Sequence, residues 1–181
     1  MGFRLSDTTE VVLENVRVPR SAVIGEVGCG MSIALNALNL SRAFISTLAV
    51  GIMQRALDEA VAYAKQRKQF GRRLIDFEMV QAMLADMAIK TEAARVLVNN
   101  CMRQMDAGEM VRKDGAIVKT FVTDAMQEVV SNAVQVLGGY GYSEEYPVDK
   151  LMRDAKIFQI FEGSNQIQRM TIAKELDREY R

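Results

Sequence analysis

No proline interrupts the chain between Pro19 and Pro147. Proline is the residue that most reliably breaks a helix, because it lacks an N–H and clashes with the preceding turn. Its absence frees the stretch from Met31 onward to form long helices, and the apolar spacing there is helical. In the first helix Ile33, Leu35, Leu38, Phe44, Leu48, Ile52, Leu57 and Val61 run along the chain, with Lys65, Arg67, Lys68 and then Gly71 marking its C-terminus. A second helix is predicted from Asp76, read as its N-cap, with Ile75 and Val80 spaced as a hydrophobic staple. Its stripe is Val80, Met83, Leu84, Met87, Thr91, Ala94, Val98 and Cys101, ending near Gly108. A third helix carries Ile117, Phe121, Ala125, Val129 and Val136 and stops at Gly138 and Gly139. A turn leads to a short helix near 148–157, and a last helix runs from Asn165 to Arg178. Three helices of roughly 27–37 residues far exceed the usual mean of about 11–12. The expected fold is therefore all-α, an antiparallel four-helix-bundle-like domain over residues 31–181. The methionines, 12 in all, read as adaptable core filler.

The first 30 residues differ. EVVLENVRVP (10–19) alternates and is β-branched, so it reads as a short N-terminal strand closed by Pro19. A lone strand cannot make a sheet. Residues 1–30 are therefore expected to be the remnant of a β-domain whose remainder lies outside this sequence.

Composition excludes several chemistries. Lysine plus arginine equals aspartate plus glutamate, at 23 each, which argues against a nucleic-acid partner. No apolar run is read as reaching the ~18 residues that a membrane span needs. Cys29 and Cys101 are far apart and outside any CxxC, which fits reduced thiols rather than a disulfide framework or zinc site. There is no histidine. Ser-His-Asp and Cys-His catalysis within the chain is excluded, and no metal site is expected. Acid–base chemistry falls to Glu, Asp, Lys, Tyr or Cys.

Three stretches could carry chemistry. QRKQFG (66–71) is either an ordinary basic helix end or an anion clamp in which Arg67 forks onto a phosphate and Phe70 stacks on a ring. QVLGGYGY (135–142) follows a helix, so it is not a dinucleotide fingerprint. It is either a tight turn or a place where bare backbone approaches a ligand. Glu162 lies between the apolar Ile157, Phe158, Ile160 and Phe161 and the small polar Gly163, Ser164 and Asn165. The helix that follows favours its charge, and the apolar side opposes it. It is either a residue complementing the helix dipole or a general base.

Together these words have a familiar order. LENVRVP (13–19), LNLSR (38–42), RKQFG (67–71), LADMA (84–88), QVLGGYGY and EYPVDKLMRDAKIFQIFEGSNQIQR (145–169) resemble the C-terminal half of the acyl-CoA dehydrogenase family, over nearly the whole chain. The resemblance implies a flavoprotein that removes a proton from Cα and a hydride from Cβ of an acyl-CoA thioester, giving the trans-2-enoyl-CoA. FAD would be the cofactor, an electron-transferring flavoprotein the acceptor, and the assembly a homo-oligomer, dimer or tetramer. The resemblance makes Glu162 the catalytic base. It places Asn39, Arg42, Phe161 and Gly163 by the substrate. It places Arg67, Gln69, Phe70, Glu78 and the segment Gln135, Val136, Leu137, Gly138, Gly139 on an FAD held with a neighbouring subunit. It places Ser164, Asn165 and Gln166 against the FAD on the side of the base. It implies a cytoplasmic protein in a bacterium or archaeon, or one of the mitochondrial matrix in a eukaryote.

Three positions depart from the family pattern. Ser41 stands where some branches carry the base, Glu78 where a glutamine is common, and Asn39 where aspartate is frequent. The chain corresponds to the last domain and the tail of the middle one, so by itself it is expected to bind FAD weakly. The rival readings are a non-catalytic helical oligomerisation module and, within the family, an oxidase or a decarboxylating dehydrogenase.

Overall fold

A computed structural model describes residues 1–181. Three long helices dominate: α1 (Gly30–Gln66), α2 (Glu78–Asp106) and α3 (Arg112–Leu137). A short helix α4 (Pro147–Ala155) and a last helix α5 (Asn165–Glu179) complete them. The strands β1 (Lys68–Gln69) and β2 (Arg72–Arg73) form a small antiparallel hairpin between α1 and α2. The all-α, bundle-like expectation agrees with this architecture.

α3 is the central element. It packs against α1, α2, α4 and α5, and it contributes Val118, Val122, Met126, Val129, Val130 and Ala133 to the core. α5 runs antiparallel to it. Lys113, at the start of α3, pairs with Glu179 at the end of α5 at 2.5 Å, and Thr123, farther along α3, meets Asn165 at the start of α5.

α1 shows where periodicity alone misleads. Its core face is Ala43, Ala49, Val50, Met53, Ala56, Ala60 and Ala64. The larger residues expected inside, Ile33, Leu35, Phe44 and Leu48, lie exposed, and Leu38, Ile52, Leu57 and Val61 are half-buried. The physical reason is distance. Alanines let two helix backbones approach closely, so the small stripe rather than the bulky one meets α3. By length and composition α1 also contains an 18-residue window apolar enough to cross a membrane, which the sequence reading did not identify. In the fold this helix packs on α2 and α3. The α2 stripe agrees with expectation: Leu84, Met87, Thr91, Ala94, Val98 and Cys101 are buried, with Val80 and Met83 half-buried.

Two local expectations fail. Residues 10–19 form no strand and lie exposed, since no second strand supplies partners for their N–H and C=O groups. Asp76 does not cap α2. Its carboxylate turns back to Arg73, at 2.8 Å from Nη2, and Phe77 holds the N-cap position with no side-chain bond. The ends of α3 and α4 follow local rules. α3 stops at Leu137, where Gly138 turns left-handed at φ 61°, and Pro147 opens α4 in the first turn.

Candidate active site

The short 3₁₀ turn Lys156–Gln159 delivers the chain to Ile160 and Phe161, and two consecutive left-handed residues follow. Glu162 has φ 56° and Gly163 has φ 82°. Glycine adopts that backbone freely, whereas for glutamate it costs about 1–2 kcal/mol. Such strain persists only where the surroundings over-determine it.

They do so here. The Gln168 side-chain amide, fully buried, donates to the Glu162 carbonyl at 3.1 Å and to the Gly163 carbonyl at 2.9 Å. The Lys119 ammonium, also fully buried, donates to the same Gly163 carbonyl at 2.9 Å and to Asn165 Oδ1 at 2.7 Å. Asn165 Nδ2 in turn donates to Thr123 Oγ1 at 2.9 Å and Asp124 Oδ1 at 2.7 Å. Asp124 also accepts from Gln159 and Arg169. Burial raises the Asp124 pKa, but the bonds from Arg169, Gln159 and Asn165 and the Arg169 charge outweigh it and hold the carboxyl below its ordinary value. Ser164 caps α5, its Oγ accepting from the Ile167 N–H at 3.4 Å.

With its backbone held, the Glu162 carboxylate projects toward α1. Its Oε2 accepts the Ser41 hydroxyl at 2.5 Å. Beside Ser41, the buried Arg42 donates to Asn39 Oδ1 at 2.9 Å, while its Nε has no partner. Burial, then the Arg112 charge, lower the Arg42 pKa, and Glu162 opposes them. Asn39, Arg42, Phe161, Glu162 and Gly163 thus belong to one neighbourhood. Ser41 has no carboxylate of its own to act as a base, and its hydroxyl holds that of Glu162.

The second set of predicted residues gathers elsewhere. Arg67, Gln69, Val136, Leu137, Gly138 and Gly139 line an open groove of about 630 Å³ together with Tyr63, Leu74, Tyr140, Ser143 and Glu145. Arg67 sits over the Tyr140 ring at 5.7 Å from its centroid. Phe70 and Glu78 line an adjoining hollow that shares Gln69 and Leu74. Gln135 is exposed on the last turn of α3. Two predicted contacts are placed differently from the rest: the Asn165 side chain is buried within the polar cluster, and Ser164 Oγ serves the cap. Gln166 is exposed at the start of α5, where helix N–H groups are free. Nothing lies within 4 Å of where a Cβ would stand on Gly138 or Gly139. A guanidinium, bare glycine backbone and aromatic walls fit the adenosine diphosphate end of a dinucleotide.

Sequence reading overlooked Lys119, Gln168 and Thr123. The signal was present for Lys119: it interrupts the core run Ala116, Val118, Val122 at a helix position that faces inward. Burial pushes its ammonium down to about 8, with Asp124 and Glu162 opposing and Arg42 adding to the shift. The unfolded chain keeps that proton to about 10.4. Between those two values the unfolded state binds more protons, so stability rises with pH across that window. Urea unfolding of wild type and Lys119→Met at both ends of the window is expected to show this rise in the wild type, in excess of the variant. Parallel pH dependences would contradict it.

Comparison with known proteins agrees with this geometry. The pattern of the acyl-CoA dehydrogenase C-terminal domain matches residues 28–176. The "Probable acyl-CoA dehydrogenase" of Mycobacterium tuberculosis is 48% identical over 177 residues, 97% of this chain and 46% of that protein. The caffeyl-CoA reductase–Etf complex subunit CarC of Acetobacterium woodii is 41% identical over 173 residues, 96% of this chain and 46% of that protein. The structure of butyryl-CoA dehydrogenase from Megasphaera elsdenii superposes with a TM-score of 0.90 at 44% identity, over 91% of this chain and 43% of that one. The chain spans about half the length of the curated relatives it matches. With the family pattern covering most of its length and the same helical fold in a solved relative, the chain belongs to the acyl-CoA dehydrogenase family.

Proposed function

We propose that the protein is a flavin-dependent oxidoreductase that α,β-dehydrogenates an acyl-CoA thioester to the trans-2-enoyl-CoA. The observation that carries this reading is the Glu162 carboxylate, held on a strained left-handed turn and aimed at Ser41 beside Arg42. Glu162 takes the proton from Cα. Phe161 and Gly163 flank it along the chain, and Asn39 and Arg42 face it from α1. The Arg42 guanidinium, partly freed of hydrogen bonds at Nε, offers positive charge near the carbonyl end of the substrate. Bound FAD would accept the Cβ hydrogen as hydride. Arg67, Gln69, Phe70, Glu78 and the 135–139 segment would hold the diphosphate and adenosine end of one flavin. Ser164, Asn165 and Gln166 would approach another through the start of α5.

The two groups of residues occupy separate parts of the surface, which supports flavin binding between copies of the chain. The exposed apolar face of α1, with Leu40, Phe44 and Leu48 four residues apart, supports homo-oligomerisation as a dimer or tetramer. An electron-transferring flavoprotein is the proposed acceptor, in keeping with the Etf complex to which one relative belongs. A cytoplasmic or mitochondrial-matrix setting follows from the same reading.

A second reading is supported by the relatives named as reductases, the caffeyl-CoA reductase subunit and the 3-(aryl)acrylate reductase of Clostridium sporogenes, 40% identical over 176 residues. The same site run backwards would have Glu162 return the proton to Cα. Anaerobic titration of the flavin-loaded protein separates the two. Bleaching of the visible flavin band by a straight, branched or aryl acyl-CoA is the expected result. Reoxidation of the chemically reduced flavin by enoyl-CoAs, with no bleaching by any saturated thioester, would favour the reductase. No response in either direction would sink both.

A further inference from the structure

We propose that Lys119 is a positioning residue for this site: its ammonium, tethered between the Gly163 carbonyl and the Asn165 side chain, fixes the turn that aims the Glu162 carboxyl. The inference rests on the reading of Glu162 as the proton acceptor.

A lysine with no exposed surface is an expensive choice for the middle of α3, among Ala116, Val118 and Val122. Hydrogen-bond satisfaction at the turn does not require it, because the Gly163 carbonyl already accepts from Gln168. At Asn165 Oδ1 the Thr123 hydroxyl lies 3.2 Å away, but its one proton goes to the Lys119 backbone carbonyl at 2.7 Å. A methionine of similar length would fill the space and leave the Gly163 carbonyl its Gln168 donor. What only the ammonium supplies is a charge-assisted bond from the rigid central helix to the residue following Glu162, 44 positions away in sequence. The same atom reaches the first residue of α5, so one side chain ties together α3, the turn and the last helix. The other charged groups facing it are Asp124 from its own helix, Arg42 from α1 and Glu162 itself. Left-handed backbone at a glutamate needs such a restraint, because nothing intrinsic to the residue favours it.

The test is Lys119→Met in the FAD-loaded protein. A loosened carboxyl misplaced by about 1 Å can cost about 10²-fold in rate. The expected result is a fall of that size in the kcat for flavin reduction, with KM for the acyl-CoA unchanged. Hydrogen exchange at the amides of Glu162 to Asn165 is expected to quicken. Lys119→Cys in a Cys29→Ser, Cys101→Ala background, which removes the two native thiols, is alkylated with 2-bromoethylamine while unfolded and then refolded with FAD, which returns an ammonium at the same reach. It is expected to restore both readouts, and it decides the matter should the methionine variant fail to fold. Wild-type kcat and wild-type exchange in Lys119→Met, beside an inactive Glu162→Gln, would overturn this inference alone. An equally active Glu162→Gln would instead overturn the reading of the site, and the exchange measurement would still judge Lys119. Failure of the aminoethyl group to restore exchange protection would also overturn the proposal.

Discussion

Replacing Glu162 with glutamine is expected to slow acyl-CoA-driven bleaching of the flavin by about 10²–10⁴-fold, the range that a positioned general base contributes. The substitution is close to isosteric. Glutamine can occupy the same left-handed backbone, held by the same Gln168 and Lys119 donors, because those bonds reach carbonyls rather than the side chain. Its amide oxygen can still accept the Ser41 hydroxyl. What is lost is the capacity to take a proton. The variant should therefore retain its flavin and its oligomeric state and lose only the chemical step. Stopped-flow absorbance under anaerobic conditions, with flavin content checked beforehand, reads this directly. A variant that bleaches at the wild-type rate would show that the proton leaves to some other group.

Phe158→Ala is expected to destabilise the fold by about 3–5 kcal/mol, the cost typical of emptying a buried phenylalanine site. Phe158 is fully buried at the foot of the site loop. Its ring meets Phe161 edge-on at 4.9 Å between centroids and Phe3 at 5.5 Å, and Phe3 also meets Phe161 at 6.4 Å. These three rings form one aromatic cluster, joined to Glu162 along the chain through Phe161. Truncating the middle one opens a cavity that the surrounding α3 and α4 residues cannot close, since both helices are fixed by other contacts. Ile160, two residues on, is 54% exposed, and its truncation should change stability by no more than about 0.5 kcal/mol. Urea unfolding of the two variants side by side makes the comparison. Equal, small losses would mean that the ring cluster contributes little to the fold.

The notable feature of the site is how much of its precision comes from a distance. Glu162, Gly163 and Ser164 were legible as a unit, because an acidic residue, a glycine and a capping serine before a helix have local meanings. The partners that hold them were not. Lys119 and Gln168 bond to backbone carbonyls, and a carbonyl leaves no mark on a sequence. Ser41 seemed only a position unable to act as a base, yet it holds the carboxylate. Asn165 read as a flavin contact at a helix start, and its side chain is the centre of a buried polar cluster.

The sequence by itself determined the helices. The proline-free stretch, the 3.6-residue periodicity, the glycine after α3 and the serine opening α5 are local signals acting through backbone dihedrals and nearby hydrogen bonds. Only the tertiary structure decided which face of α1 turned inward, that residues 10–19 formed no strand, and that a lysine of α3 reached the turn beside Glu162. Those outcomes depend on how closely helices approach and on whether distant donors and acceptors find one another. Neither quantity is set by any single segment.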